Sequence, residues 1–133
     1  MDQTIQQKIL SLMTPVAEGL RAAEIRIGLV YTSVRLDNGN TGIAWTGHRQ
    51  KGGCIHHTDA GTLSGKPAGE LLSMLAGRSP LHRTIGLATA NALAAGMDHP
   101  ETISTEILEL IDIKPSEHVV MAGFFGPLLQ SVK

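Results

Sequence analysis

The chain has 133 residues, enough for one domain, and its hydrophobic fraction of 42% with only 3% aromatic residues predicts an aliphatic core. A formal net charge of −1 without a basic block argues against a nucleic-acid-binding protein, because neutralising phosphates needs clustered Lys and Arg. The single Cys excludes an intrachain disulfide, and no signal peptide pattern or apolar run of about 20 residues is present. We therefore expect a cytoplasmic protein without a membrane span.

The first 46 residues predict a helix followed by antiparallel strands. Apolar residues spaced by three and four over 3–20 predict a helix, which Pro15 should kink or break. Residues 23–36, AEIRIGLVYTSVRL, alternate with apolar side chains on both faces, which is typical of a central strand. Residues 37–40, DNGN, form a turn signal, and 41–46 read as the returning strand.

Two helices are predicted in the middle of the chain. Pro67 suits the first position of a helix that Gly77 would cap at its C-terminus. Ser79 and Pro80 form an N-cap and a first-turn proline, and Gly96 ends the second helix. The small residues of the second helix favour close packing against a sheet or another helix.

The C-terminal third predicts a short helix over 105–111 and a buried strand over 119–122. Gly123 and the pair Gly126-Pro127 then give a turn into an apolar helix. A strand, a glycine turn and a helix start form the opening half of a βαβ unit.

The order of these blocks resembles one family. The series GLVYTSVRL, GIAWT, AGTLSGKPAGELL, SPLHRTIGLATANAL and HVVMAGFFGPLL is similar to bacterial and archaeal proteins of the DUF4213/DUF364 type, described as "putative heavy-metal chelation" proteins. The resemblance implies an α+β front domain similar to the N-terminal domain of enolases, with a small antiparallel sheet packed on helices, over 1–100. It also implies that 101–133 are a linker helix and the start of a Rossmann-like domain, with a cleft between the two.

The segment from residue 42 to residue 66, GIAWTGHRQKGGCIHHTDAGTLSGK, carries the densest set of candidate ligands. Thiolate, imidazole and carboxylate groups are the ligands that zinc and similar ions prefer. The candidates are Cys54, His56, His57, His48 and Asp59. Adjacent histidines point apart in an extended chain, so the expected set is Cys54, one of the pair, and His48 or Asp59. The expected ion is a divalent transition metal such as zinc, although the spacing matches no standard zinc motif.

Other interpretations of this segment stay open. Cys54 could be a nucleophile with one of the nearby histidines as its base. Thr62, Ser64 and Lys66 surround the helix start at Pro67 and are candidates for an anion site, although a simple helix cap explains them as well. Gly123 and Gly126 lack the rest of a dinucleotide motif, so we expect no nucleotide site. His82, His99 and His118 are scattered and are expected to be structural or exposed.

Three functions follow from this sequence. The first is a small-ligand or metal-binding domain without self-contained catalysis, and the second is part of an enzyme whose active site lies in the interdomain cleft. The third is a structural fragment that assembles without a ligand. The apolar run in 118–133 has no partner strand assigned to it, so we expect a homo-oligomer that forms through this segment.

Overall fold

The computed structural model describes residues 3–46, 58–59, 61–98, 104–105, 107–111, 113–114, 116–120, 122–123 and 126–131. The chain divides into two compact units, Met1–Asp98 and His99–Lys133. The elements of the first unit are α1 (Ile5–Met13), β1 (Ala22–Ile27), β2 (Tyr31–Leu36), β3 (Thr41–Trp45), α2 (Ala68–Ser73) and α3 (Pro80–Ala94), with 3₁₀ turns at Pro15–Ala17 and Met74–Ala76. The second unit contains α4 (Ile107–Ile111) and α5 (Gly126–Ser131).

The three strands form an antiparallel meander in the order β1-β2-β3. The predicted turn at 37–40 joins β2 to β3, with Gly39 at φ 90° and the Asn38 side chain accepting a hydrogen bond of 3.1 Å from the Asn40 N–H. Helices cover one face of this sheet, and their buried residues join those of the strands in one cluster. The predicted α+β class with a small antiparallel sheet packed on helices is therefore confirmed.

The prediction of a single strand over 23–36 is wrong, because the chain reverses after Ile27 and forms two strands. Gly28 donates a hydrogen bond of 2.9 Å to the Tyr31 carbonyl across this tight connection. A Cβ at Gly28 would lie 2.8 Å from that carbonyl oxygen, so the reversal depends on glycine. Leu29, which the alternating pattern placed on a strand face, is 85% exposed at the tip.

The break after α1 and the start of α3 follow the predicted signals, whereas Pro67 is the N-cap of α2 rather than its first residue, and Gly77 caps the 3₁₀ turn that follows α2. Helix α1 ends at Met13, and Pro15 opens a separate 3₁₀ turn, as expected from a proline in this position. Ser79 is the N-cap of α3 and Pro80 its first residue. Each of these breaks is therefore set by local backbone chemistry.

The core lies between the inner face of the sheet and helices α2 and α3. It is aliphatic, as the composition predicts. Its largest fully buried side chains are Thr32, Val34, Leu36, Leu71, Leu72, Ile85, Thr89 and Leu93. The two threonines in this set have partners: Thr89 donates to the Ile85 carbonyl at 2.9 Å, and Thr32 shares a hydrogen bond of 3.0 Å with Thr46. Their hydroxyls are thus buried without an unmet hydrogen bond.

Helix α3 approaches strand β3 at backbone distance. A Cβ at Gly42 would lie 2.2 Å from the Ala88 carbonyl oxygen and 2.2 Å from the Ala92 nitrogen. The predicted close packing through small residues is therefore confirmed. Because the helix sits this close, its side chains reach the strand's main chain. Asn91 donates a hydrogen bond of 2.8 Å to the Ile43 carbonyl, and the Thr84 hydroxyl lies 3.3 Å from the Trp45 carbonyl.

The second unit matches the predictions only in part. Helices α4 and α5 lie where helical segments were expected. The prediction of a buried strand over 119–122 is wrong for the described residues, because Val119 and Val120 are not in a strand and are 47% and 94% exposed. A buried strand needs a neighbouring strand, and the one sheet described contains only β1, β2 and β3. None of the described helices is long and apolar enough to cross a membrane.

Candidate functional site

Most of the predicted metal ligands lie in one segment that follows strand β3. His48, Cys54, His56 and His57 are outside the described residues. Asp59 is the one candidate ligand of this segment that the structure describes. The N-terminal flank is also placed, since Thr46 donates a hydrogen bond of 2.7 Å to the Val30 carbonyl.

Asp59 is held by a local turn. The Thr62 N–H and hydroxyl both donate to the Asp59 carbonyl, at 3.0 and 2.9 Å. Gly61 has φ 85°, a left-handed conformation that glycine adopts without steric cost. Two hydrogen bonds from Thr62 therefore fix the backbone at Asp59.

The next residues dock on the edge of the sheet. Gly65 donates a hydrogen bond of 2.8 Å to the Ala22 carbonyl, and Ala22 donates one of 3.0 Å to the Lys66 carbonyl. Arg21 forms an isolated bridge with Pro67 and donates from its guanidinium to the Gly65 carbonyl at 2.8 Å. These contacts tie the polypeptide between Asp59 and α2 to the start of β1.

The Asp59 carboxylate lies beside the first turn of α3. Its Oδ2 atom is 3.8 Å from Nε2 of His82. This separation exceeds the 2.7–3.2 Å of a typical N–H···O hydrogen bond. Both side chains are partly exposed, at 45% and 36%. The pair therefore combines a carboxylate and an imidazole within reach of solvent, at a spacing longer than direct hydrogen bonding.

The approach of His82 to Asp59 was not expected from the sequence. His82 was grouped with the scattered histidines because nothing local in the sequence links it to Asp59. The link is made by the turn at 59–62, the sheet-edge contacts and helix α2, which together return the chain to the start of α3. Among the described residues, no group of three or more His, Cys, Asp or Glu side chains could hold a metal ion. Asp59 and His82 are thus at most part of a ligand set.

The candidate anion residues make internal contacts. Lys66 forms an ion pair with Glu70, and the hydrogen bond to this carboxylate raises the pKa of the Lys66 ammonium. The Thr62 hydroxyl donates its hydrogen bond to the Asp59 carbonyl. The Ala68 N–H at the helix start donates a hydrogen bond of 2.8 Å to the Leu20 carbonyl. Ser64 lines a separate cavity of about 220 Å³. The anion site stays a prediction, and these contacts show two of its three side chains engaged elsewhere.

A shallow cavity of about 300 Å³ opens at the C-terminal end of β3, next to Thr46. Its lining combines an apolar floor with one guanidinium group and one amide, from Gln6, Trp45, Thr46, Leu75, Pro80, Arg83, Thr84 and Leu87. Arg83 also donates to the Gly77 and Arg78 carbonyls at 3.1 and 2.8 Å. This cavity therefore includes the only tryptophan of the chain, Trp45, which lies three residues before the candidate ligand His48.

Comparison with known proteins identifies the family. No curated protein and no solved structure matches the chain. Residues 11–94 match the family model DUF4213, described as "Putative heavy-metal chelation". The match covers more than half of the chain and includes Asp59, His82 and the whole Cys- and His-containing segment. The chain therefore belongs to the DUF4213 family.

Proposed function

We propose that the first unit binds a thiophilic divalent metal ion, such as zinc, through the segment from residue 48 to residue 59. The ligands would come from Cys54, from one of His56 and His57, and from His48 or Asp59. This set offers one soft thiolate with imidazole and carboxylate groups, a combination that suits zinc and heavier thiophilic ions. The residues thus fit the kind of ion that the family description names.

The observation that carries the proposal is the placement of Asp59. Its backbone is fixed by Thr62 and its carboxylate is partly exposed beside α3. A ligand held on a defined scaffold loses less conformational entropy when it binds an ion. The other flank, at Thr46, is tied to Val30. Both ends of the ligand-bearing segment are therefore anchored to the same folded unit.

The proposed function is binding rather than catalysis. A bound ion would require Cys54 as the thiolate and the histidines in their neutral form, so binding would release protons and strengthen as pH rises. The side chains of the segment would select the ion by its affinity for sulfur. The proposals of a cleft enzyme and of a Cys54 nucleophile remain predictions, since no contact among the described residues favours them.

The test is metal content and affinity after purification without an affinity tag. We expect about one equivalent of zinc or a similar ion by elemental analysis, and a Kd that Cys54→Ser weakens by at least about tenfold. Saturating metal at about 100 times Kd should stabilise the unit by about 2.7 kcal/mol, a rise in Tm of about 10 °C or more. Trp45 fluorescence offers a local readout, because it is the only tryptophan.

The matched control is His118→Ala, which removes an exposed imidazole from the second unit. Its metal affinity should equal that of the wild type. A wild-type protein with no metal above background and no thermal shift with zinc, cadmium or copper would remove the proposal.

A further inference from the structure

We propose that the cavity at the C-terminal end of β3 binds a small planar carboxylate, with Arg83 as its anion-binding group and Trp45 as its stacking surface. This site goes beyond metal binding and uses none of the residues from 48 to 59. Its volume of about 300 Å³ lies at the lower limit of small-molecule sites, so a molecule with one ring has the size that fits.

The Arg83 guanidinium has a hydrogen-bonding edge that the fold does not use. Its Nη1 atom donates to the Gly77 carbonyl at 3.1 Å and to the Arg78 carbonyl at 2.8 Å. A guanidinium carries five N–H donors, so the two bonds from Nη1 leave the donors of Nε and Nη2. These two nitrogens form a fork that binds a carboxylate through two parallel hydrogen bonds. Within the part of the chain that the structure describes, no carboxylate lies at ion-pair distance from Arg83.

The two hydrogen bonds from Nη1 also hold the guanidinium in position. Both accepting carbonyls belong to the turn that precedes α3, and Arg83 itself lies near the start of this 15-residue helix. A side chain that is already fixed in this way loses less conformational entropy when it binds an anion. The fork of Nε and Nη2 is therefore preorganised for a ligand.

The other walls of the cavity suit the apolar part of such a ligand. Leu75 is buried and contributes to the floor. Trp45 and Leu87 line the cavity and are 54% and 39% exposed, so both have surface that a ligand would cover. Aromatic rings stack on an indole in offset or edge-to-face geometry, which favours a ligand with a planar ring.

The donors of the site favour a single carboxylate over a phosphate. Arg83 is the one Lys or Arg among the lining residues. The Thr84 hydroxyl lies near two carbonyls of the fold, and the Thr46 hydroxyl shares a hydrogen bond with Thr32. A phosphate has more charge and more acceptor oxygens than one fork can satisfy, whereas the two oxygens of a carboxylate match it.

The experiment titrates the metal-free full-length protein with phenylacetate and with the neutral phenylacetamide. The indole N–H signal of Trp45 in nitrogen–proton correlation NMR reports binding, and its assignment is unique because the chain has one tryptophan. We expect a saturable shift with a Kd of about 1 mM or lower for phenylacetate, and a Kd at least about fivefold higher for phenylacetamide. Arg83→Gln should abolish this preference, and Arg35→Gln, which removes the same charge from the sheet, should keep it.

A second variant tests the site while the bonds from Arg83 to the preceding turn stay intact. Leu87 lies four positions after Arg83 on α3, so the carboxylate of Leu87→Glu would reach the guanidinium and repel an anion. We expect this variant to lose phenylacetate binding and Leu87→Gln to retain the preference for the anion. A shift that stays linear with phenylacetate, equal Kd values for the two compounds in the wild type, or equal phenylacetate binding by both Leu87 variants would each overturn the proposal. Metal content is measured separately, so none of these results decides the proposed function.

Discussion

Replacing Gly42 by alanine should strongly destabilise the first unit. The new Cβ would lie 2.2 Å from the Ala88 carbonyl oxygen, 2.2 Å from the Ala92 nitrogen and 2.7 Å from the Asn91 carbonyl carbon. All three atoms belong to the backbone of α3, so no side-chain rotation can relieve the contact. The helix would have to move away from β3 by about 1 Å to reach ordinary contact distance.

The size of the effect follows from what that movement breaks. Overpacking a core costs about 1–3 kcal/mol when side chains can adjust, and here the adjustment must come from a whole helix. The displacement would also lengthen the Asn91 hydrogen bond to the Ile43 carbonyl. We therefore expect a loss of at least about 3 kcal/mol, which is a large part of the stability of a typical domain. The Tm should fall by about 10 °C or more.

The assay is urea and thermal denaturation followed by far-UV circular dichroism and Trp45 fluorescence. Gly69→Ala is the matched control, because it makes the same chemical change inside helix α2 where nothing lies within 4 Å of the new Cβ. Alanine favours helix over glycine, so this control should gain about 0.5–1 kcal/mol. A Gly42→Ala protein as stable as the wild type would refute the reasoning, since it would show that α3 does not approach β3 as described.

Two further predictions concern the surface. The hydrogen bond from Arg26 to Glu24, 2.7 Å long, lowers the pKa of the Glu24 carboxyl, so its contribution is complete above the unfolded-state pKa and is lost as pH falls through the folded-state pKa. Glu24→Gln should therefore flatten the acid limb of urea midpoints measured from about pH 7 to 3, and an unchanged limb would count against the interaction. If the segment 118–133 joins two copies, Val120→Asp should shift light-scattering mass towards the monomer while Glu117→Gln does not. A wild type that is monomeric at all concentrations would end the oligomer prediction.

Local chemistry in the sequence was enough to predict the hairpin around the 37–40 turn and the start of α3. Each depends on residues within a few positions of one another, such as the Asn-Gly turn or Ser79-Pro80. The reversal at Gly28 was missed because alternation continues on both sides of it. Period-two patterning reports which face a side chain occupies, and it does not report whether the chain has reversed.

The candidate metal ligands were selected because they are neighbours in the chain, and that selection stays a prediction. The segment with Cys54 was selected because potential ligands lie close together in the sequence. Cys54 itself is outside the described residues. The approach of His82 to Asp59 was not predicted, because it depends on how α2 and α3 pack on the sheet. The error at Val119 and Val120 has a related origin, since apolar β-branched residues favour a strand without specifying a partner for it.

The contacts that helix α3 makes with the Ile43 and Trp45 carbonyls have a further consequence for the protein at high concentration. An incoming strand that extended the sheet at β3 would need those same carbonyl groups as hydrogen-bond acceptors. Asn91 donates to the Ile43 carbonyl, the Thr84 hydroxyl lies 3.3 Å from the Trp45 carbonyl, and the Gly42 backbone lies under the helix. Strand exchange or fibril growth at this edge would first require α3 to detach from the sheet, so the helix also protects the protein against aggregation there.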